Sequence, residues 1–117
     1  MKFLFVFIGG GFGSIARYGL SLIFTRTIVN FPIATLLSNL LSTLIFALIS
    51  VYLYKKPELH WLQPLVLIGF CGGFSTFSTF SFETIHLFNT GQTFLAILNI
   101  SISLIVCLCM VYFFTKP

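Results

Sequence analysis

Between Gly69 and Thr84 the chain reads Gly-Phe-Cys-Gly-Gly-Phe-Ser-Thr-Phe-Ser-Thr-Phe-Ser-Phe-Glu-Thr. Glycine, hydroxyls, phenylalanine and one acid follow an apolar stretch, a composition that a helix bathed in lipid does not need. The pair Gly72-Gly73 ahead of Ser75-Thr76 argues against a continuous helix. A break at membrane depth strands backbone carbonyls, which either ligate a hard monovalent cation or must be buried in protein. Phe77 and Phe80 share a helical face, with Phe74 close to it. Glu83, flanked by Thr79 and Thr84, is the only acid inside an apolar segment. Such acids carry function by default; the plainer alternative pairs Glu83 with Arg17.

Other polar groups lie in the remaining apolar segments. Arg17 sits several turns into the first one, where a cation must pair, face water or snorkel to the far interface. Gly9 and Gly13, and Gly10 and Ser14, stand four apart, the spacing that lets helix backbones approach. Thr35, Asn39 and Ser42/Thr43 fall on one face of the second segment. Asn39 brings two N–H donors, for interhelical bonding or for a ligand. Asn99, Ser103 and Cys107 form a mildly polar track on the fourth, unless Ser103 bonds back to its own helix.

These residues need an all-α membrane scaffold. Of 117 residues, 58% are hydrophobic and 7% charged, with a mean hydropathy of +1.10. So few charges cannot cover a soluble globule. Four segments of membrane-spanning length are expected at about 3–24, 32–54, 62–87 and 93–114, within a single domain, 1–117. Asn30-Phe31-Pro32, Lys55-Lys56-Pro57-Glu58 and Asn89-Thr90-Gly91-Gln92 carry turn chemistry between them. Pro32 and Pro64 suit first-turn positions. Met1-Lys2 and the short apolar run after it read as the start of a span rather than a cleaved leader. With four crossings, Lys2, Lys55, Lys56 and Lys116 share one side and Arg26 holds the other. The positive-inside rule puts both termini in the cytoplasm of a multi-pass cell-membrane protein. The scattered cations form no nucleic-acid stripe. Three cysteines in apolar segments give no disulfide framework. No nucleophile–base pair or metal cluster suggests an enzyme.

Taken together, these motifs resemble the Fluc/CrcB fluoride channel family. Residues 69–81 match its third-helix signature almost residue for residue. Gly10-Gly11-Phe12-Gly13-Ser14 leading to Arg17-Tyr18 resembles its first helix, and Pro32, Thr35-Leu36 and Asn39 its second. The resemblance covers nearly the whole chain. It implies four transmembrane helices with a broken third helix, paired as an antiparallel dimer with two fluoride pathways and one structural sodium ion. It implies passive export of cytoplasmic fluoride, reducing its toxicity. It places the pore amide on Asn39, the pore-facing phenylalanine pair on Phe77 and Phe80, and the fourth-helix polar track on Ser103; by residue type, the Ser78 and Thr79 hydroxyls are further donors for the pathway, with Arg17, Glu83 and Thr84 in support. It places sodium on the backbone carbonyls of Gly72 and Ser75. The positive edges of phenylalanine rings suit an anion held weakly enough to move on. The chain departs from the family pattern at Ala34, Ser42, Asn99 and Cys107.

A homodimer inserting both ways needs balanced cations, whereas four oppose one here. The bias favours a fixed orientation with an oppositely inserted related chain, an inverted self-partner being the alternative. A second reading is a non-conducting or single-pore subunit of a heterodimeric channel. A small multidrug transporter ranks lower, because the first segment lacks the acid that proton exchange needs.

Overall fold

The computed structural model describes residues 1–25 and 30–117. Arg26, the cation expected on the sparsely charged side, lies outside the described residues. The described chain is helical, with four spans apolar and long enough to cross a membrane: Lys2–Phe24, Ile33–Lys55, Gln63–Asn89 and Thr93–Thr115. The expected limits differ from these by one or two residues. At ~1.5 Å rise per residue, a 23-residue helix is about 34 Å long, enough for a hydrocarbon core.

We label the helices α1 (Lys2–Phe24), α2 (Ile33–Lys55), α3 (Gln63–Phe70 continuing through Cys71–Phe74), α4 (Phe77–Asn89) and α5 (Thr93–Thr115). The α2–α3 connection holds one 3₁₀ turn, Pro57–Leu59. Pro64 stands in the first turn of α3, as its missing N–H requires. Pro32 stands one residue earlier than expected, as the N-cap of α2, and its carbonyl accepts from the Leu36 N–H. Gly91 turns the chain between α4 and α5 at φ 79°, a conformation that suits glycine.

The first eight residues of α3 are wound as a π-helix, and the Cys71 N–H reaches back to the Val66 carbonyl. This wider turn lies against α1. A Cβ on Gly9 would collide with the Leu65 carbonyl, one on Gly13 with that of Phe70, and one on Gly73 with that of Gly10. A Cβ on Gly69 would lie 2.9 Å from the Val6 carbonyl oxygen, a less severe but still forbidden approach. The four-residue glycine spacing is therefore a backbone-to-backbone seam between α1 and α3. Gly11, on another face of α1, has nothing near it. Large apolar side chains such as Phe3, Phe7, Phe12 and Ile15 point outward, as a surface solvated by lipid requires.

Candidate ion pathway

Ser75 and Thr76 are extended, with φ/ψ of −80°/157° and −153°/121°, between the end of α3 at Phe74 and the start of α4 at Phe77. Each polar group of Thr76 finds a local partner. Its N–H donates to Asn39 Oδ1 at 2.7 Å, and its carbonyl accepts from Asn39 Nδ2 at 3.2 Å. Its hydroxyl caps α4 by accepting the Thr79 N–H at 3.2 Å. The same hydroxyl lies 3.2 Å from Ser78 Oγ and donates to Thr79 Oγ1. One α2 side chain thus takes the place of the helical bonds that an extended peptide forgoes.

The rest of the α2 polar face performs the same service at other heights. Thr35 donates to Glu83 Oε1 at 2.9 Å, and Ser42 donates to the Cys71 carbonyl at 2.9 Å. That carbonyl also takes the Ser75 N–H and hydroxyl. Ser42 thereby anchors the end of α3. Of the two sequence readings of this face, the interhelical one is what these bonds show.

Three hollows meet around the extended pair. The first, about 230 Å³, brings together Asn39, Phe77, Phe80 and Ser103, with Thr43 and Cys107. The Phe77 and Phe80 ring centroids are 5.6 Å apart at 35°. Phe80 is buried and Phe77 is 76% exposed. Ser103 is 7% exposed, and its hydroxyl has no partner among the described residues. Bonding back to its own helix, the plain alternative for Ser103, is not what it does. Cys107 accepts a weak bond from Thr43 at 3.4 Å.

The second hollow, about 400 Å³, holds Arg17, Thr79, Glu83 and Ser14, with Thr35 and Thr76 on its wall. Arg17 forms no ion pair with Glu83 among the described residues; its Nε donates to the Gly73 carbonyl at 3.1 Å. Glu83 Oε2 is buried and unpartnered among those residues. Ser78 lines neither hollow and is exposed. Thr84 lies behind the rings: it donates to the Phe80 carbonyl at 2.7 Å and accepts from Asn99 Nδ2 at 3.0 Å. Asn99, 1% exposed, is thus a buried strut between α5 and the helix that carries both phenylalanines.

The third hollow, about 280 Å³, is lined by Gly72 and Ser75 with Ser42 and Cys71. The N–H groups that would close helical turns onto the Gly72 and Ser75 carbonyls are diverted, that of Thr76 to Asn39 and that of Thr79 to the Thr76 hydroxyl. Two carbonyl oxygens without their helical donors, one on an exposed glycine, are a donor set that fits a hard monovalent cation. Sequence reasoning singled out both residues but missed Thr76 as the junction of the first two hollows. A threonine three residues before another hydroxyl at a helix start is an N-cap signal that was available.

The fold and these hollows describe a small four-span membrane protein with polar groups gathered at an extended step in its third span. The family model described as CrcB-like protein, Camphor Resistance (CrcB), matches residues 4–114. A Coxiella burnetii protein named fluoride-specific ion channel FluC is 37% identical over 92% of this chain and 90% of its own length. Proteins of the same name from Magnetococcus marinus and Salmonella arizonae are each 41% identical. The former alignment covers 96% of this chain and 93% of the relative, and the latter 87% and 81%. The chain belongs to the CrcB family.

Proposed function

We propose that this chain is a subunit of a fluoride-selective channel, through which fluoride leaves the cytoplasm passively and its toxicity falls. One observation carries the reading beyond the relatives' names: Asn39, Phe77, Phe80 and the unpartnered Ser103 hydroxyl line one hollow. Fluoride is small and strongly hydrated, so a pathway must replace its water with donors. Ser103, the spare Asn39 N–H and the ring edges of Phe77 and Phe80 are such groups. Thr79 and the Thr76 hydroxyl continue the donors toward the hollow of Arg17 and Glu83. Several weak sites in series allow entry and exit. The activity is conduction, not catalysis.

Sodium, when bound, would supply positive charge to the Gly72 and Ser75 carbonyls and satisfy them at the step in the broken third span. Both residues border an open hollow, which suits completion of the ligand set by an antiparallel second subunit. The four-to-one cation bias supports a related partner chain over an inverted copy of this one, and both termini in the cytoplasm. The family match leaves no support for the multidrug transporter.

The test is purification of the chain alone, reconstitution in liposomes and an electrode record of fluoride release. Rapid efflux that excludes chloride supports a conducting self-dimer. Silence alone, with efflux on co-expression of a related chain, supports the heterodimer. Silence in both sinks the proposal. In the heterodimer, unchanged conduction after substituting Asn39, Phe77 and Phe80 here assigns conduction to the partner's pathway.

A further inference from the structure

At the lysine-rich end of the molecule, the last turns of α2 and α5 flank a hollow of about 520 Å³. Lys55 enters it from α2, and Lys116 from just beyond α5. Ser50, Thr115 and the apolar sides of Val51 and Tyr54 complete the wall with the terminal Pro117. No acidic side chain is among these residues, and two lysine cations outnumber the single α-carboxylate of Pro117. The Thr115 hydroxyl donates to the Val111 carbonyl, so its oxygen remains an acceptor. The Ser50 hydroxyl has no protein partner among the described residues and remains a free donor.

Neighbouring contacts hold the cations at this boundary. Lys116 Nζ lies 5.7 Å from the centre of the Tyr112 ring, and Lys56 Nζ 5.4 Å from that of Tyr52. Lysines near helix C-termini also complement the helix dipole. That effect accounts for each lysine singly, but not for two chain segments directing lysines into one hollow. Because the hollow begins where two spans end, it opens at headgroup depth. Its lining combines two cations and two hydroxyls with apolar side chains, the groups that suit a phospholipid's phosphate and glycerol region.

We propose that this hollow binds the headgroup of an anionic phospholipid. Lys55 and Lys116 meet the phosphodiester, the Ser50 hydroxyl donates to it, and Val51 and Tyr54 pack on the glycerol region. The apolar side chains favour a lipid over a dissolved phosphate ion. The site is independent of the conduction pathway.

Native mass spectrometry of the full chain in detergent, with phosphatidylglycerol and phosphatidylcholine at equal concentration, tests it. A lysine at an anionic headgroup contributes about fivefold in affinity, so retained phosphatidylglycerol exceeds phosphatidylcholine by roughly 30-fold for the pair. Lys55→Gln with Lys116→Gln abolishes the preference, Lys55→Arg with Lys116→Arg keeps it, and Lys2→Gln leaves it unchanged. Equal retention of the two lipids, or an unaltered preference in the double glutamine variant, overturns the proposal. Displacement of the lipid by millimolar inorganic phosphate also overturns it, in favour of a soluble-anion site.

Discussion

Replacing Asn39 by leucine separates the two tasks of its amide. The side chain holds Thr76 through two bonds, 2.7 Å to the N–H and 3.2 Å from the carbonyl. Leucine is of similar volume and removes both partners, leaving two backbone groups of an extended residue unmatched. Each unmet buried group costs ~1–3 kcal/mol, so the expected loss of stability is ~2–6 kcal/mol. Aspartate behaves differently. It keeps the acceptor for the Thr76 N–H and loses only the donor, for about half that loss. It also places a negative charge beside the proposed path, where a carboxylate ~4 Å from a passing fluoride would repel it by ~4 kcal/mol at an effective dielectric near 20. Asn39→Leu therefore unfolds most readily, whereas Asn39→Asp has the lower efflux, by up to ~10³-fold. Thermal unfolding in detergent and electrode-monitored efflux at matched protein density measure the two effects. A leucine variant within ~0.5 kcal/mol of the parent would refute the anchoring argument, because the Thr76 peptide then needs no partner from α2.

The glycine seam predicts a contrast on one helix: Gly9→Ala costs at least ~1–3 kcal/mol by collision with the Leu65 carbonyl, whereas Gly11→Ala leaves the folded chain's unfolding midpoint nearly unchanged. Along the strut behind the rings, Thr84→Val strands the Asn99 amide and costs ~1–3 kcal/mol. Adding Asn99→Leu restores part of that loss, and denaturation of the two single variants and the double variant measures the non-additivity. Replacing sodium by a bulky organic cation during purification is expected to suppress fluoride efflux, with recovery on returning sodium; full efflux after exhaustive removal would dismiss the cation from the mechanism.

The spans were legible because lipid imposes a coarse rule, about twenty apolar residues per crossing, and this chain follows it with few exceptions. The glycines were legible for a related reason: four-residue spacing on apolar helices has few uses other than close approach. Partner choice was harder to read. Arg17 and Glu83 invite pairing on charge alone, yet Arg17 meets the Gly73 carbonyl and Glu83 meets Thr35. Which polar groups meet depends on helix rotation and height, and hydropathy carries neither. The Thr76 hydroxyl left a capping signal, but the extended backbone that makes it a junction, at −153°/121°, leaves little trace in residue type. The fourth-span track was correct as a face but mixed in its tasks. Asn99 braces a helix, while Ser103 one turn away has a hydroxyl with no partner among the described residues.

The seam between α1 and α3 also bears on how the chain is made. Gly9 and Gly69 meet across about 60 residues of sequence, and at ~5–20 residues per second the ribosome needs ~3–12 s to supply the second after the first. Throughout that interval the first span sits in the bilayer with its narrowest face open to lipid or to any other helix carrying small residues. Side chains cannot correct a wrong partner there, since the contact is made by backbone alone. Translation speed and the company of other nascent membrane proteins therefore bear directly on the yield of folded chain.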